Sequence, residues 1–230
     1  MSTGEFTESS ERGFFITGWD PSGQHMVGMD YHEWDVEALV LLDTSMHVVR
    51  RIPLPTSRYA EVVGWSPDGS AIYVSFGVAW RGVAWTGGGF DLARLSVATG
   101  DITILARGNL VAASPRDDLI AYWTDRDGNG EANGLSVVGS NGTGLMELVS
   151  DTAGVAFHAS TPAWSPDGAL LGYAVQSVPD AITVHVWDPE TGASTQILSK
   201  TGEGVGYPRV FWSQDGAHLL VTRGRAAWVV

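Results

Sequence analysis

One short phrase returns along this chain at nearly constant spacing, and it limits the fold more than any other feature. Trp19-Asp-Pro-Ser-Gly23 is followed by Trp65-Ser-Pro-Asp-Gly69, Ala113-Ser-Pro-Arg-Asp117, Trp164-Ser-Pro-Asp-Gly168 and Trp212-Ser-Gln-Asp-Gly216. Successive starts lie 46, 48, 51 and 48 residues apart. A period near 48 residues matches a four-stranded blade and is too long for most solenoid repeats.

The local grammar of each repeat is that of strands and tight turns. An extended segment such as Tyr59-Ala-Glu-Val-Val-Gly-Trp65 leads into the phrase. Pro then fixes φ and Gly accepts φ > 0, which makes a turn. A second apolar strand follows, as in Ala71–Ser75, Leu119–Trp123, Leu170–Ala174 and His218–Thr222. A third strand ends at a small turn (Leu95–Gly100, Val184–Gly192), and a fourth begins just beyond it (Ile102–Leu105, Thr195–Leu198). The 29 glycines and 10 tryptophans of the 230 residues suit short strands and turns better than helices.

These repeats predict an all-β fold: a single five-bladed β-propeller of four-stranded antiparallel blades over residues 1–230. The blades are placed at about 11–54, 55–106, 107–152, 153–200 and 201–230, the last completed by residues 2–10. Only 18 residues follow Trp212, enough for two further strands. Ser2-Thr-Gly-Glu-Phe-Thr-Glu8 reads like Ala98-Thr-Gly-Asp-Ile-Thr-Ile104, a turn plus a fourth strand. The ring is therefore expected to close by pairing residues 3–9 with 226–230, which protects the sheet edges. Trp19, Trp65, Trp164 and Trp212 are expected to pack between blades, with Trp123 compensating for Ala113.

The W-S-P-D-G phrase with its following apolar strand resembles the repeats of the TolB-like propeller family and of prolyl-oligopeptidase-type propellers. Leu119-Ile-Ala-Tyr-Trp-Thr-Asp-Arg-Asp-Gly-Asn129 and Gly139-Ser-Asn-Gly-Thr-Gly-Leu145 look very like the TolB repeat. The resemblance covers essentially the whole chain and implies the fold. It does not carry partners across, because TolB resembles a six-bladed propeller with an added N-terminal domain. Prolyl oligopeptidases carry a separate hydrolase domain, and no G-x-S-x-G nucleophile elbow occurs here.

Charge and composition narrow the function. A formal net charge of −13, from 26 acidic and 13 basic residues, repels phosphate backbones and argues against nucleic acid. With no cysteine, disulfides, thiolate metal sites and cysteine nucleophiles are excluded. No run of 18 apolar residues exists to span a membrane as a helix. The N-terminal MSTGEFTESSERG is polar and acidic, unlike a signal peptide, so the chain as written reads as cytoplasmic. The TolB-like resemblance opens an extracytoplasmic reading.

In a propeller, the loops between second and third strands share a face with the connections between blades. Here those loops are long and varied, and variable loops on a rigid scaffold carry function. Asp30-Tyr-His-Glu-Trp-Asp35 and the Gly-rich stretch 76–89 hold Trp34, Trp80 and Trp85, none at the repeat position. Such aromatics offer a stacking surface for a sugar, a peptide or an apolar ligand, or else pack their loops onto the body. The residues just before each phrase also differ: Tyr59 and Glu61, His158 and Ser160, Tyr207 and Arg209. They line a mixed polar and aromatic funnel at the pore mouth, or fill a narrow pore.

Asp125, Asp127 and Asn129 match the first ligand positions of a calcium loop, but Ser136 stands where such loops carry a bidentate Glu. The segment is therefore read first as a hairpin turn and second as a calcium site; no other cofactor is expected. None of the six histidines has zinc spacing. The expected function is a monomeric, non-enzymatic binding or scaffold propeller for a protein, peptide or carbohydrate. The alternatives are a glycoside hydrolase or lyase using funnel carboxylates such as Glu61, and a piece of a larger propeller.

Overall fold

In the computed structural model the described residues are 14–32, 35–54, 58–78, 90–124, 134–150, 158–159, 161–177, 181–202 and 206–230. They form antiparallel strands without a helix. The first sheet contains β1 (Phe14–Trp19), β2 (His25–His32), β3 (Asp35–Asp43) and β4 (Val48–Pro53). The second contains β5 (Arg58–Trp65), β6 (Ala71–Val78), β7 (Asp91–Ser96) and the first half of β8 (Ile102–Ala113). The second half of β8 opens the third, with β9 (Leu119–Thr124), β10 (Gly134–Gly139) and β11 (Met146–Ser150). One continuous strand thus ends one meander and begins the next.

In the fourth sheet β12 (His158–Ala159) and β13 (Ala163–Trp164) both pair with β14 (Leu171–Ser177), followed by β15 (Ala181–Trp187) and β16 (Ser194–Thr201). The last sheet is β17 (Arg209–Trp212), β18 (Leu219–Arg223) and β19 (Ala226–Val229). The expected pairing of residues 3–9 with the C-terminal strand lies outside the described residues. Among the described residues, no helix is long and apolar enough to cross a membrane.

The repeated phrase sets one register everywhere. Its first residue pairs with the residue seven places on: Trp19 with Met26, Trp65 with Ile72, Ala113 with Ile120, Trp164 with Leu171 and Trp212 with Leu219. The turn chemistry explains the constancy. Ser66 Oγ donates to Asp68 Oδ1 at 2.7 Å, Ser165 Oγ to Asp167 at 2.6 Å and Ser213 Oγ to Asp215 at 2.5 Å. The closing glycines Gly69, Gly168 and Gly216 sit at φ of 70°, 71° and 70°, the left-handed region open to glycine. The first strands of the first three sheets also share a bulge just before the phrase, at Ile16/Gly18, Val62/Gly64 and Asn109/Ala112.

Fixed register means fixed faces, because side chains alternate along a strand. Val27, Met29, Leu39 and Leu41 of the first sheet pack on Ala60, Ile72 and Val74 of the second. Tyr73 and Leu92 then meet Ile120, Tyr122 and Val138, and Trp123 and Leu135 meet Trp164, Leu171 and Trp187. Ala174 and Val184 meet Val210, Leu219 and Val221. Two repeat tryptophans also bolt sheets together: Trp164 Nε1 donates to the Ala112 carbonyl at 3.0 Å, and Trp212 Nε1 to the Ala163 carbonyl at 2.9 Å. Trp123 is fully buried in the cluster that holds Trp164, whereas Ala113 packs in the cluster of Tyr73 and Ile120, so Trp123 serves the joint on the other side and does not fill the place of the missing repeat tryptophan.

Trp19 departs from its expected role and is 54% exposed. It stands on the first described strand, with no preceding sheet among the described residues to receive its indole.

The turn carboxylates carry a pH signature. The Ser66 hydroxyl and the Ser70 N–H hold the Asp68 carboxyl at about 2, against the usual 3.8. At Asp20 partial burial opposes the same effect, but donors from Ser22, His25 and Gln24 outweigh it and the value again falls to about 2. Folded-state values below 3.8 stabilise fully above that pH, and the gain is lost as pH falls toward about 2. Urea midpoints should therefore hold steady near neutrality and drop between those limits, and Asp68→Asn should flatten the drop. An Asp68→Asn chain with the wild-type acid profile would remove the turn carboxylate as its source.

Candidate functional site

Each sheet presents two ends. At one are the locked turns; at the other, the connections between second and third strands. The sequence candidates that fall among the described residues lie at the second end. Tyr59 and Glu61 stand on β5 opposite Gly77 and Ser75, and His158 stands on β12 opposite Gln176. Arg209 opens β17 opposite Thr222, with Tyr207 two residues ahead. Tyr207 is 60% exposed, and the Glu61 and Arg209 side chains face solvent.

Trp34, Trp80, Trp85, Asp125, Asp127 and Asn129 lie outside the described residues. Among the described residues, no three His, Cys, Asp or Glu side chains are grouped to hold a metal ion. The stretch Asp30–Asp35, expected as a loop, is mostly strand: β2 runs through His32 and β3 starts at Asp35. Strand pairing of Asp30 with Phe14 and Ala38 carries the sheet almost to the hairpin tip.

Two charged residues at this end, Asp30, which the sequence offered as a loop carboxylate, and Arg223, which it did not single out, both occupy the eleventh place after the start of the phrase. In the first sheet that place is Asp30, with none of its surface exposed. Its carboxylate forms an ion pair with Arg51 of β4, which lies beyond β3 in the same sheet and whose side chain is half in solvent. In the last sheet the place is Arg223, 3% exposed. Arg223 Nε donates to the Gly206 carbonyl at 3.2 Å. With its nitrogen toward Gly206 at 3.3 Å, the Gln176 amide turns its oxygen to the Arg223 guanidinium at 3.2 Å. Arg223 therefore ties the last sheet to the end of β14, beside His158. The signal was present in the alternation: Leu219, Val221 and Arg223 share one inward phase, as do Met26, Gly28 and Asp30. A charge in an apolar phase marks a buried, partnered group.

The phrase end carries a different feature. A cleft of about 390 Å³ opens there against the first three sheets, walled by Trp19, Trp65, Pro21, Pro67 and Pro115. This cleft thus lies opposite the end that bears the sequence candidates.

Comparison with solved structures identifies the architecture. The chain superposes on an oligogalacturonate lyase in complex with manganese with a TM-score of 0.67 at 16% identity, over 92% of this chain and 60% of that one. It matches TolB from Acinetobacter baumannii with a TM-score of 0.56 at 16% identity, over 96% of this chain and 52% of that one. The Dos1 propeller aligns with a TM-score of 0.59 at 13% identity, over 92% of this chain and 53% of that one. The chain therefore spans about half to three-fifths of these structures. No family model and no curated protein matches it. The fold is a TolB-like propeller fold, and at these identities the likeness carries architecture alone.

The Asp30–Arg51 pair yields an asymmetric prediction. Arg51→Ala leaves a fully buried carboxylate without its cation and should cost about 3–5 kcal/mol. Asp30→Asn removes the buried charge and leaves Arg51 free to turn to water, so it should cost clearly less. Urea denaturation of both variants at neutral pH decides it, and equal losses would show that the pair is not what holds the site.

Proposed function

We propose that the chain is a five-bladed ring that binds, without catalysis, a protein, peptide or carbohydrate on the end opposite its locked turns. The observation that carries this reading is the contrast between the two ends. The turn end repeats one chemistry from sheet to sheet, whereas the eleventh place after each phrase holds Asp30, Phe76, Thr124, Val175 and Arg223 in turn. A rigid frame that varies its residues at one end is built to present a particular surface. Tyr207 and Arg209 stand exposed on that surface, and the loops bearing Trp34, Trp80 and Trp85 connect strands at the same end. Aromatic and guanidinium groups of this kind anchor ligands because they bury much area with few rotamers.

The lyase likeness supports the propeller fold and not a reaction, since 16% identity does not carry side-chain roles across. The excess of 26 acidic over 13 basic residues disfavours nucleic acid as the ligand. We read the chain as a monomer whose ring is closed by residues 3–9 on β19, which stands at the outer edge of its described sheet.

Two measurements test these readings. Display selection of peptides, together with an oligosaccharide panel, should yield ligands that the Trp34→Ala, Trp80→Ala, Trp85→Ala triple variant and a Tyr207→Ala, Arg209→Ala variant bind at least tenfold more weakly. Unchanged binding by folded variants would exclude this surface. Removing residues 1–10 should lower the melting temperature by more than about 5 °C, the shift that a loss of a few kcal/mol gives a chain of this size. An unchanged melting temperature would rule out closure by that segment.

A further inference from the structure

We propose that Arg223 is a positioning residue for the surface assigned above: it clamps the backbone of Gly206, so that Tyr207 and Arg209 meet a ligand in one fixed arrangement. The proposal rests on that reading of the surface and adds a residue that acts on the ligand without touching it.

Arg223 is 3% exposed and follows Leu219 and Val221 in the inward phase of β18. The same place in the fourth sheet is Val175, which packs against the apolar cluster of Trp164 and Trp187. Taking a guanidinium out of water is costly unless its donors are engaged. Here two are engaged in one small circuit. Arg223 Nε donates to the Gly206 carbonyl at 3.2 Å. The Gln176 amide nitrogen donates to the same carbonyl at 3.3 Å, and its oxygen accepts from the Arg223 guanidinium at 3.2 Å. The three groups close a triangle. Its two side chains come from different sheets, Gln176 from β14 and Arg223 from β18, so the carbonyl is held against motion of either sheet alone.

The triangle grips the residue just before Tyr207. Gly206 sits at φ of 107°, a conformation that side chains with a Cβ rarely adopt. On the other side of Tyr207, Pro208 is buried, and a residue before proline is confined to extended backbone. Tyr207 is thus fixed from both sides while remaining 60% exposed. Exposure alternates from Tyr207 to Val210, which puts Tyr207 and Arg209 on one outward side. Arg209 stands opposite Thr222, the neighbour of Arg223. An exposed aromatic on an immobilised backbone loses little freedom when it binds, and that saving is the benefit of preorganisation.

The shape of the side chain explains the choice of arginine. Its Nε and Nη donors lie in one rigid plane and serve two acceptors at once. Lysine would keep the positive charge but present it as a point, without that fork.

Backbone order is read first, with no ligand present. In the isotope-labelled full chain, the heteronuclear Overhauser effect of the Tyr207 amide should match those of β17. It should fall in Arg223→Met and Arg223→Lys, as the segment begins to move on the nanosecond scale. Gly206→Ala reaches the same end by another route: its methyl meets nothing within 4 Å, but the left-handed φ is strained and the carbonyl leaves its donors. The binding probe is a dodecapeptide selected on the wild type from a random phage-displayed library. Each of the three variants should bind it about three- to tenfold more weakly, the cost of ordering the freed side chains. Arg223→Met with Gly206→Ala should bind no more weakly than either alone, because both open the same triangle. In a Tyr207→Ala, Arg209→Ala background, Arg223→Met should cause no further loss.

A Tyr207 amide that stays rigid in the Arg223 and Gly206 variants overturns the clamp. So does full rescue by Arg223→Lys, which would make Arg223 a buried cation and no more. A mobile Tyr207 with unchanged affinity overturns the role in binding. A further loss from Arg223→Met once Tyr207 and Arg209 are gone does the same, since that loss would come through the fold. Failure of the surface itself shows separately: the Tyr207→Ala, Arg209→Ala chain would bind like the wild type, which removes the reading beneath the proposal even where Tyr207 loosens.

Discussion

The structure depends on the side-chain locks inside its turns, and in three of the five the lock is hydroxyl to carboxylate. Ser66, Ser165 and Ser213 each donate to the aspartate two residues on, and a glycine at positive φ closes the turn. A turn of fixed length fixes the register of the strands it joins. A slip of one residue would send every inward side chain of that strand outward. The seven-residue pairing is common to all the described first strands, and where the lock is present it sets that pairing and with it which residues meet the neighbouring sheet. The same lock keeps carboxylates charged at the surface, so a device that orders the backbone also supplies part of the acidity.

Once register is set, the sheets need few further devices to hold together. Large apolar side chains alternate into the joints, and Trp164 and Trp187 meet edge to face with ring centres 6.2 Å apart. The indole-to-carbonyl bonds of Trp164 and Trp212 add direction to that packing, because they fix how far one sheet stands from the next. Buried charge enters only at the far end, where Asp30 and Arg223 sit in phases that are otherwise apolar. A buried charge must bring its partner with it, and each does: Arg51 from two strands away in the same sheet, Gly206 and Gln176 for Arg223.

This explains what could be read from the sequence. Strands and turns were legible because their causes are local: Pro, Gly and Asp act within five residues of one another. The role of Trp123 was not legible, because which of its sheet's two joints it enters depends on the phase of β9. The exposure of Trp19 was not legible, since it depends on what stands before the first described strand. Nor was the strand character of Asp30-Tyr-His32, where pairing with β1 and β3 outweighs a polar, loop-like composition. Arg223 was passed over because the eye follows motifs, whereas its meaning lies in the phase of a strand. The cleft depends on two residues of different repeats, Trp65 and Ala113, each unremarkable by itself.

Repetition and its failures therefore divide the work of the molecule. At the joints made by Trp164 and Trp212, indole meets carbonyl and the joint is closed. At Ala113 the third sheet lacks the indole that would reach back to the second sheet, and a cleft opens beside it. A frame whose register is constant makes an odd joint chemically distinct without disturbing the others, since each sheet packs mainly on its immediate neighbours. Constancy at the turn end thus braces the end where the residues differ.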